Sequence, residues 1–235
     1  MTESTPASIF EAVASPQAAL TKRDAILAAA TRVFLRHGYE GTSMELVAQE
    51  AGAARRTLYN QFPDGKEALF HAVVERVWRA FPVLDITTDA AALADPELGL
   101  KRIGEAVAAF WAPSLSIAFL RLVIAEGQRF PKLTESFFAV GKTPAMGAVR
   151  AYLEVLTERG LLCIKDSELA TRQFLGLIDE PLLWVRVVGK AEEVTPEWRR
   201  TVVDQAVGMF LGFHRVEPAG SGAKRKPRVK TSAKG

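Results

Sequence analysis

Apolar residues recur along this chain at intervals of three and four, and no alternating strand pattern of useful length appears. The fold class expected is therefore all-α. Thr21, with Asp24 three residues on, marks a helix start, and Ile26, Ala30, Val33, Phe34 and His37 follow at helical spacing until Gly38. Thr42 and Glu45 form a capping box that opens a short helix over Met44 to Glu50. Ala48 lets another helix pass close, and Gly52 can take the left-handed conformation that reverses the chain. A second helix is expected from about Ala54 to Phe62. Leu58 and Phe62 form its buried side, while Arg55, Arg56, Thr57, Tyr59 and Asn60 stay outward. A helix with that outer face suits a DNA major groove. Asp64 and Glu67 form a further capping box, with Lys66 in the first turn of a helix to about Phe81, where its charge opposes the helix dipole.

Pro82 ends that helix, and Val83 to Ala94, with Thr87, Thr88 and Asp89, reads as a surface loop. Asp95 as N-cap and Pro96 in the first turn restart the helical pattern. Further helices are expected over Ser114–Phe130, Pro131–Val140, Thr143–Arg159, Asp166–Val188 and Pro196 to about Arg215. The last two are apolar on more than one side and so need more than one partner. Phe174, Ile178 and Leu182 in the first, with Val202, Ala206 and Phe210 in the second, are candidates for a subunit interface; burial within the subunit is the alternative. Pro181 frees a carbonyl and bends its helix, shaping a pocket or merely marking the bend.

The order of elements over Arg23–Phe81 resembles the DNA-binding domain of the TetR/AcrR family of bacterial transcriptional regulators. The residues carrying the resemblance are RDAILAAATRVFLRHGYEGTS, the turn AGAA, the helix RRTLYNQF and the signature KEALF. RLVIAEGQRFPKLTESFFAVG is similar to the C-terminal domain of the family's AefR-like branch. The resemblance implies a three-helix DNA-binding domain with a helix-turn-helix, followed by a helical ligand-binding and dimerisation domain. With composition read beside it, the chain is expected to divide into a flexible extension (1–20), a DNA-binding domain with its linking helix (21–81), an all-helical domain (82–215) and a basic disordered tail (216–235). Carried over residue by residue, Thr42, Tyr59, Asn60 and Lys66 are expected to touch phosphate or sugar, and Arg55, Arg56 and Thr57 to face base edges. The resemblance also implies that the final two helices form a four-helix dimer interface, so that a homodimer reads a palindromic operator in double-stranded DNA. One departure is Ala54 where the family usually has Ser or Thr, a missing cap that costs about 1 kcal/mol.

Composition narrows the alternatives. The 235 residues include one cysteine, Cys163, read as a small buried hydrophobe, and no thiolate metal cluster is expected within one subunit. The first basic residue is Lys22, so the start lacks a secretory signal pattern, and a cytoplasmic protein without a membrane span is expected. The net charge of +3 resides in the end of the chain: the last eighteen residues carry six cations and no acid, leaving the rest at −3. DNA affinity therefore needs a local patch, with or without the tail. Trp111, Phe119, Phe137, Phe138 and Trp184 are candidates to line an apolar cavity, with Arg121, Glu126, Asp179 or Glu180 supplying polarity for a small effector. No cofactor or metal site is expected. A helical enzyme is the rival class, but the phosphate-cradling, HExxH and G-x-S-x-G patterns are absent and His37, His71 and His214 are scattered. A helical scaffold or sensor without DNA binding is the third reading.

Overall fold

The computed structural model describes residues 21–79, 81–189 and 194–216. Expectations for 1–20 and for the tail beyond Val216 lie outside these residues. Helix α1 (Lys22–His37) starts where Thr21 and Asp24 placed it: the Thr21 hydroxyl accepts the Asp24 N–H at 3.1 Å and donates to the Asp24 carboxylate at 2.8 Å. Helix α2 (Met44–Glu50) is capped by Ser43, which accepts the Leu46 N–H at 3.2 Å. The expected Thr42 cap is thus corrected by one residue. Thr42 is 3% exposed and donates to the Gly38 carbonyl at 2.6 Å, so its hydroxyl closes the preceding turn instead. Helix α3 (Arg55–Gln61) begins at Ala54 without a side-chain cap, as the sequence implied. Helix α4 (Lys66–Arg79) starts after Gly65, whose carbonyl accepts the Leu69 N–H at 3.1 Å, one residue later than an Asp64 cap requires.

The segment expected as a surface loop is instead two short helices, α5 (Val83–Thr88) and α6 (Ala90–Ala94). Asp89, read as a loop residue, caps α6 by accepting the Ala92 N–H at 2.9 Å, and Val83, Ile86 and Ala92 are buried. Burying apolar groups on both sides of a capped break makes helix the favourable state for so short a segment. Helix α7 (Pro96–Trp111) follows its Asp95 cap and runs through the body, and α8 (Ser114–Glu126) turns away after Pro113. Helix α9 (Pro131–Phe137) passes through a π-helical turn (Phe138–Lys142) into α10 (Thr143–Glu158). Helix α11 (Ser167–Asp179) passes through a second π turn (Glu180–Trp184) into α12 (Val185–Val188). Pro181 sits in that second turn; without an N–H it cannot continue the α-helical ladder. Helix α13 (Pro196–His214) closes the body.

One core runs from head to body. Phe70 packs edge-on against Phe34 (5.3 Å) and Tyr39 (5.6 Å) and stacks on Phe119 at 5.9 Å, while Tyr39 meets Phe130 at 4.9 Å. Removing such a buried ring costs about 3 to 5 kcal/mol. In the body, α7 and α13 approach so closely that a Cβ on Gly104 would lie 2.9 Å from Val203. Phe174, Ile178, Leu182, Val202, Ala206 and Phe210 are each 6% exposed or less. These six residues therefore form the subunit's own core, which corrects their assignment to a subunit interface. Cys163 is exposed rather than buried, in an irregular segment whose N–H donates to the His214 carbonyl at 2.7 Å. Among the described residues no single helix is long and apolar enough to cross a membrane, and no cluster of three metal-ligating side chains occurs.

Candidate DNA-reading head and effector cleft

The head is a helix-turn-helix braced from two sides. Arg32 and Arg36 of α1 reach Glu50 of α2 at 2.8 and 3.4 Å, and Arg76 of α4 binds the Asp24 carboxylate (3.0 Å) and carbonyl (2.7 Å). Between α2 and α3, Gly52 adopts φ +61°, and the Ala53 N–H returns to the Ala48 carbonyl at 2.9 Å. Leu58 and Phe62 anchor α3 in the core, 0% and 2% exposed. The rest of α3 faces outward: Arg55, Arg56, Tyr59 and Asn60 are exposed and Thr57 is partly so. Arg55 forms an ion pair with Glu45 of α2, an acid that the sequence reading had used only as a cap. An exposed pair of this kind is worth less than about 1 kcal/mol, so it holds the guanidinium without committing it.

Lys66 has inward partners. Its ammonium donates to the carbonyls of Tyr39 (2.7 Å) and Glu40 (3.3 Å) and lies over the Tyr39 ring at 4.4 Å. Burial lowers its pKa against the pull of Glu126 and Glu40. Lys66 therefore stitches α4 to the α1–α2 turn, and with Thr42 it departs from the role of a free phosphate contact. The same turn is gripped from the body. Glu126, at the end of α8, accepts the N–H groups of Tyr39 and Glu40, each at 2.7 Å, and Arg129 pairs with the Glu40 side chain. Gly38 (φ +72°) makes room for this grip, since a Cβ there would lie 2.5 Å from the Glu126 carboxylate.

The other side of the α8 terminus lines a cleft of about 660 Å³ formed by α7, α8, α9, α11 and both π turns. Val123, Ile124, Gly127 and Gln128 form one wall, while Trp111, Phe137, Phe138 and Trp184 contribute aromatic surface. Of the expected lining residues, the structure thus brings together Trp111, Phe137, Phe138, Asp179 and Trp184. It places four elsewhere. Phe119 is 2% exposed in the shared core, Glu126 faces the head, and Arg121 donates to the Val187 (2.9 Å) and Arg186 carbonyls that end α12. Glu180 lies instead on an outer groove of about 670 Å³ with Gly176, Leu177, Pro181, Met209 and Phe213. Within the cleft, the Asp179 carboxyl lies beside Trp111 and Lys142, and its Oδ1 is sealed from solvent without a hydrogen-bond partner. Burial pushes this carboxyl up to about 6 despite the opposing influence of Lys142 and Trp111.

Residues 26–73 match the profile described as bacterial regulatory proteins, tetR family, and residues 98–216 match that of the AefR-like transcriptional repressor, C-terminal domain. The second match alone spans half of the chain. This protein belongs to the TetR family of transcriptional regulators. A putative TetR-family regulator from Mesorhizobium loti is 28% identical with a TM-score of 0.72, and the Flavonoid-responsive Regulator FrrA is 27% identical with a TM-score of 0.67. Each alignment covers 83% of this chain and 97% of the other. The HTH-type transcriptional regulator LmrA of Bacillus subtilis is 49% identical over 47 residues, 20% of this chain and a quarter of LmrA. The TetR-family head is thus a DNA-binding module, and the all-α body is the family's C-terminal domain. Among the residues the sequence reading missed, Lys142 had no readable signal. Met209, also missed, is 55% exposed on α13, and Phe213, which continues the Val202, Ala206 and Phe210 stripe in the sequence, is 82% exposed.

Proposed function

We propose that this TetR-family chain is a cytoplasmic homodimeric repressor that binds a palindromic operator and is released by a small, largely apolar ligand. The observation that carries this reading is the double hydrogen bond from Tyr39 and Glu40 to Glu126. It ties the turn that positions α2 and α3 to the same helix end whose neighbours, Gly127 and Gln128, line the cleft. A ligand that displaces the end of α8 pulls on this turn through the grip, and the reading heads then lose the spacing that two successive major grooves require. The flavonoid responsiveness given for FrrA supports a small-molecule effector in this fold.

The dimer reading rests on the outer faces of α11 and α13. Leu177, Pro181, Met209 and Phe213 line one apolar groove, and a Cβ on Gly176 in the same groove would meet nothing within 4 Å. That leaves a flat face where a symmetry mate's helices can approach closely, beside the residues first expected. On DNA, Arg55 exchanges Glu45 for the duplex, with Arg56 beside it as a donor to guanine edges.

The test is selection of random duplex DNA by the full chain, with the Arg55→Ala/Arg56→Ala double variant alongside. The expected result is an enriched palindrome, bound by two subunits, that the variant does not enrich. No enrichment by the wild-type chain at moderate salt would refute ligand-free operator binding, and a single non-palindromic half-site would refute the dimer.

A further inference from the structure

We propose that Arg23, at the start of α1, is a phosphate anchor of the DNA-reading head, holding one wall of the major groove at the C-terminal end of α3 while Arg56 stands at its N-terminal end. The proposal rests on α3 as the reading helix and is independent of the cleft and of the dimer. Three observations carry it. First, the head holds few cations that it does not itself satisfy. Of the nine lysines and arginines in residues 21–79, five arginines pair with acids of the head and Lys66 turns to backbone carbonyls. That leaves Lys22, Arg23 and Arg56, all exposed, with no carboxylate within 4 Å of their nitrogens among the described residues. Binding a polyanion draws on such cations, and with Lys66 turned inward the charge for the phosphates has to come chiefly from these three.

Second, the start of α1 is held against the reading helix. The Arg23 guanidinium lies over the Phe62 ring, 4.6 Å from its centroid, and Phe62 is the residue that ends α3. Phe62 is buried and Arg23 is exposed, so the guanidinium covers the ring with one face and keeps its edge donors for an outside partner. The seven residues of α3 rise about 10 Å, close to the roughly 12 Å width of a major groove. Cations at the two ends of such a helix therefore fall beside the two phosphate walls. Third, α1 gains nothing from them. Lys22 and Arg23 stand in its first turn, where a cation opposes the helix dipole, and Thr21 already caps that turn. A phosphate would offset this unfavourable charge. Arginine suits the place because its planar fork can stack on a ring and donate two bonds to one phosphate. The contact carries no sequence information of its own; it fixes the register in which Arg55 and Arg56 meet the bases.

Fluorescence anisotropy of the full chain on a selected operator and on random duplex, between about 50 and 200 mM salt, tests this. Arg23→Met keeps an apolar cover over Phe62 and removes the charge. It is expected to weaken both duplexes by the same several-fold factor and to lower the slope of log affinity against log salt by about 0.9 per bound subunit, with the preferred half-site unchanged. Arg23→Lys retains the charge and is expected to keep the wild-type slope, so the result does not depend on one variant folding. Wild-type affinity and slope in Arg23→Met would overturn the proposal and leave Arg23 as a cover for Phe62. A loss confined to the selected operator would overturn it in favour of a base contact. The Arg55→Ala/Arg56→Ala variant reports on the reading helix separately: if it binds the operator as the wild type does, α3 is not the reading helix and the proposal falls with it.

Discussion

In the reading head, Arg32 and Arg36 close on Glu50, Arg76 on Asp24 and Arg55 on Glu45, whereas the body leaves Phe213 82% exposed and Asp179 Oδ1 buried without a partner. The head's polar groups are largely satisfied by the chain itself, and its outward face is a set of exposed donors suited to a polyanion. The body carries apolar surface and, among the described residues, buried polar atoms that its own residues do not satisfy, Asp179 Oδ1 and Arg199 Nε. The difference fits the proposed partners: DNA would replace weak, exposed ion pairs at little cost, while the proposed second subunit and ligand would cover surfaces that are otherwise unfavourable.

The largest expected effect comes from spoiling the body's outer face. Phe213→Glu combined with Met209→Glu places two charges on the groove beside α11 and is expected to yield monomers in sedimentation velocity, with helical content unchanged. Persistent dimers would place the interface on another face. In the head, Arg55→Ala and Arg56→Ala are each expected to weaken binding of a selected operator by about ten- to a hundredfold, the worth of a bidentate base contact, while changing nonspecific binding much less. Fluorescence anisotropy at fixed salt measures both. Equal losses on specific and random DNA would demote these residues to phosphate contacts.

A smaller effect concerns Asp179. Its carboxyl is raised to about 6, so the native state holds this proton more tightly than the unfolded chain does. The resulting stability is complete below the unfolded pKa of about 4 and is lost as pH rises through about 6. Asp179→Asn is therefore expected to flatten the stability profile across that window and to raise stability at pH 7 by about 1 to 3 kcal/mol. Denaturant titrations at pH 4.5 and 7 check this; an unchanged difference would mean that Asp179 is solvated. The smallest effect is local to the head: Ala54→Ser supplies the cap that α3 lacks and is expected to stabilise it by about 1 kcal/mol. Thermal melting reads that change.

Much of the head was legible because its signals are short-range. Thr21 with Asp24, the outward set on α3 and the missing cap at Ala54 all depend on residues within one turn of each other. The cap of α2 was misplaced because Thr42 and Ser43 are adjacent hydroxyls, and only the buried turn to Gly38 decides between them. In the body, apolar positions on several sides of α11 and α13 reveal that these helices are enclosed but not which stripe faces inward. Phe210 and Phe213 read as one stripe in the sequence, yet Phe210 is buried and Phe213 is 82% exposed. Glu126 was read as cavity polarity because its partners, Tyr39 and Glu40, lie 87 and 86 residues away. Pro181 marked a bend at the second π turn, but not its π geometry. Aromatic residues of the cleft were recognisable as a composition; Phe119 shows that composition does not distinguish a wall from a core.

Glu126 joins the two regions, and its replacement tests the account most directly. In Glu126→Ala, hydrogen exchange at the Tyr39 and Glu40 amides and affinity for the selected operator would be measured together. The account predicts faster exchange at both amides and operator binding weakened several-fold, with the preferred half-site sequence unchanged. Wild-type exchange and wild-type affinity in the variant would contradict it, because the cleft would then have no grip on the DNA-reading head through this contact.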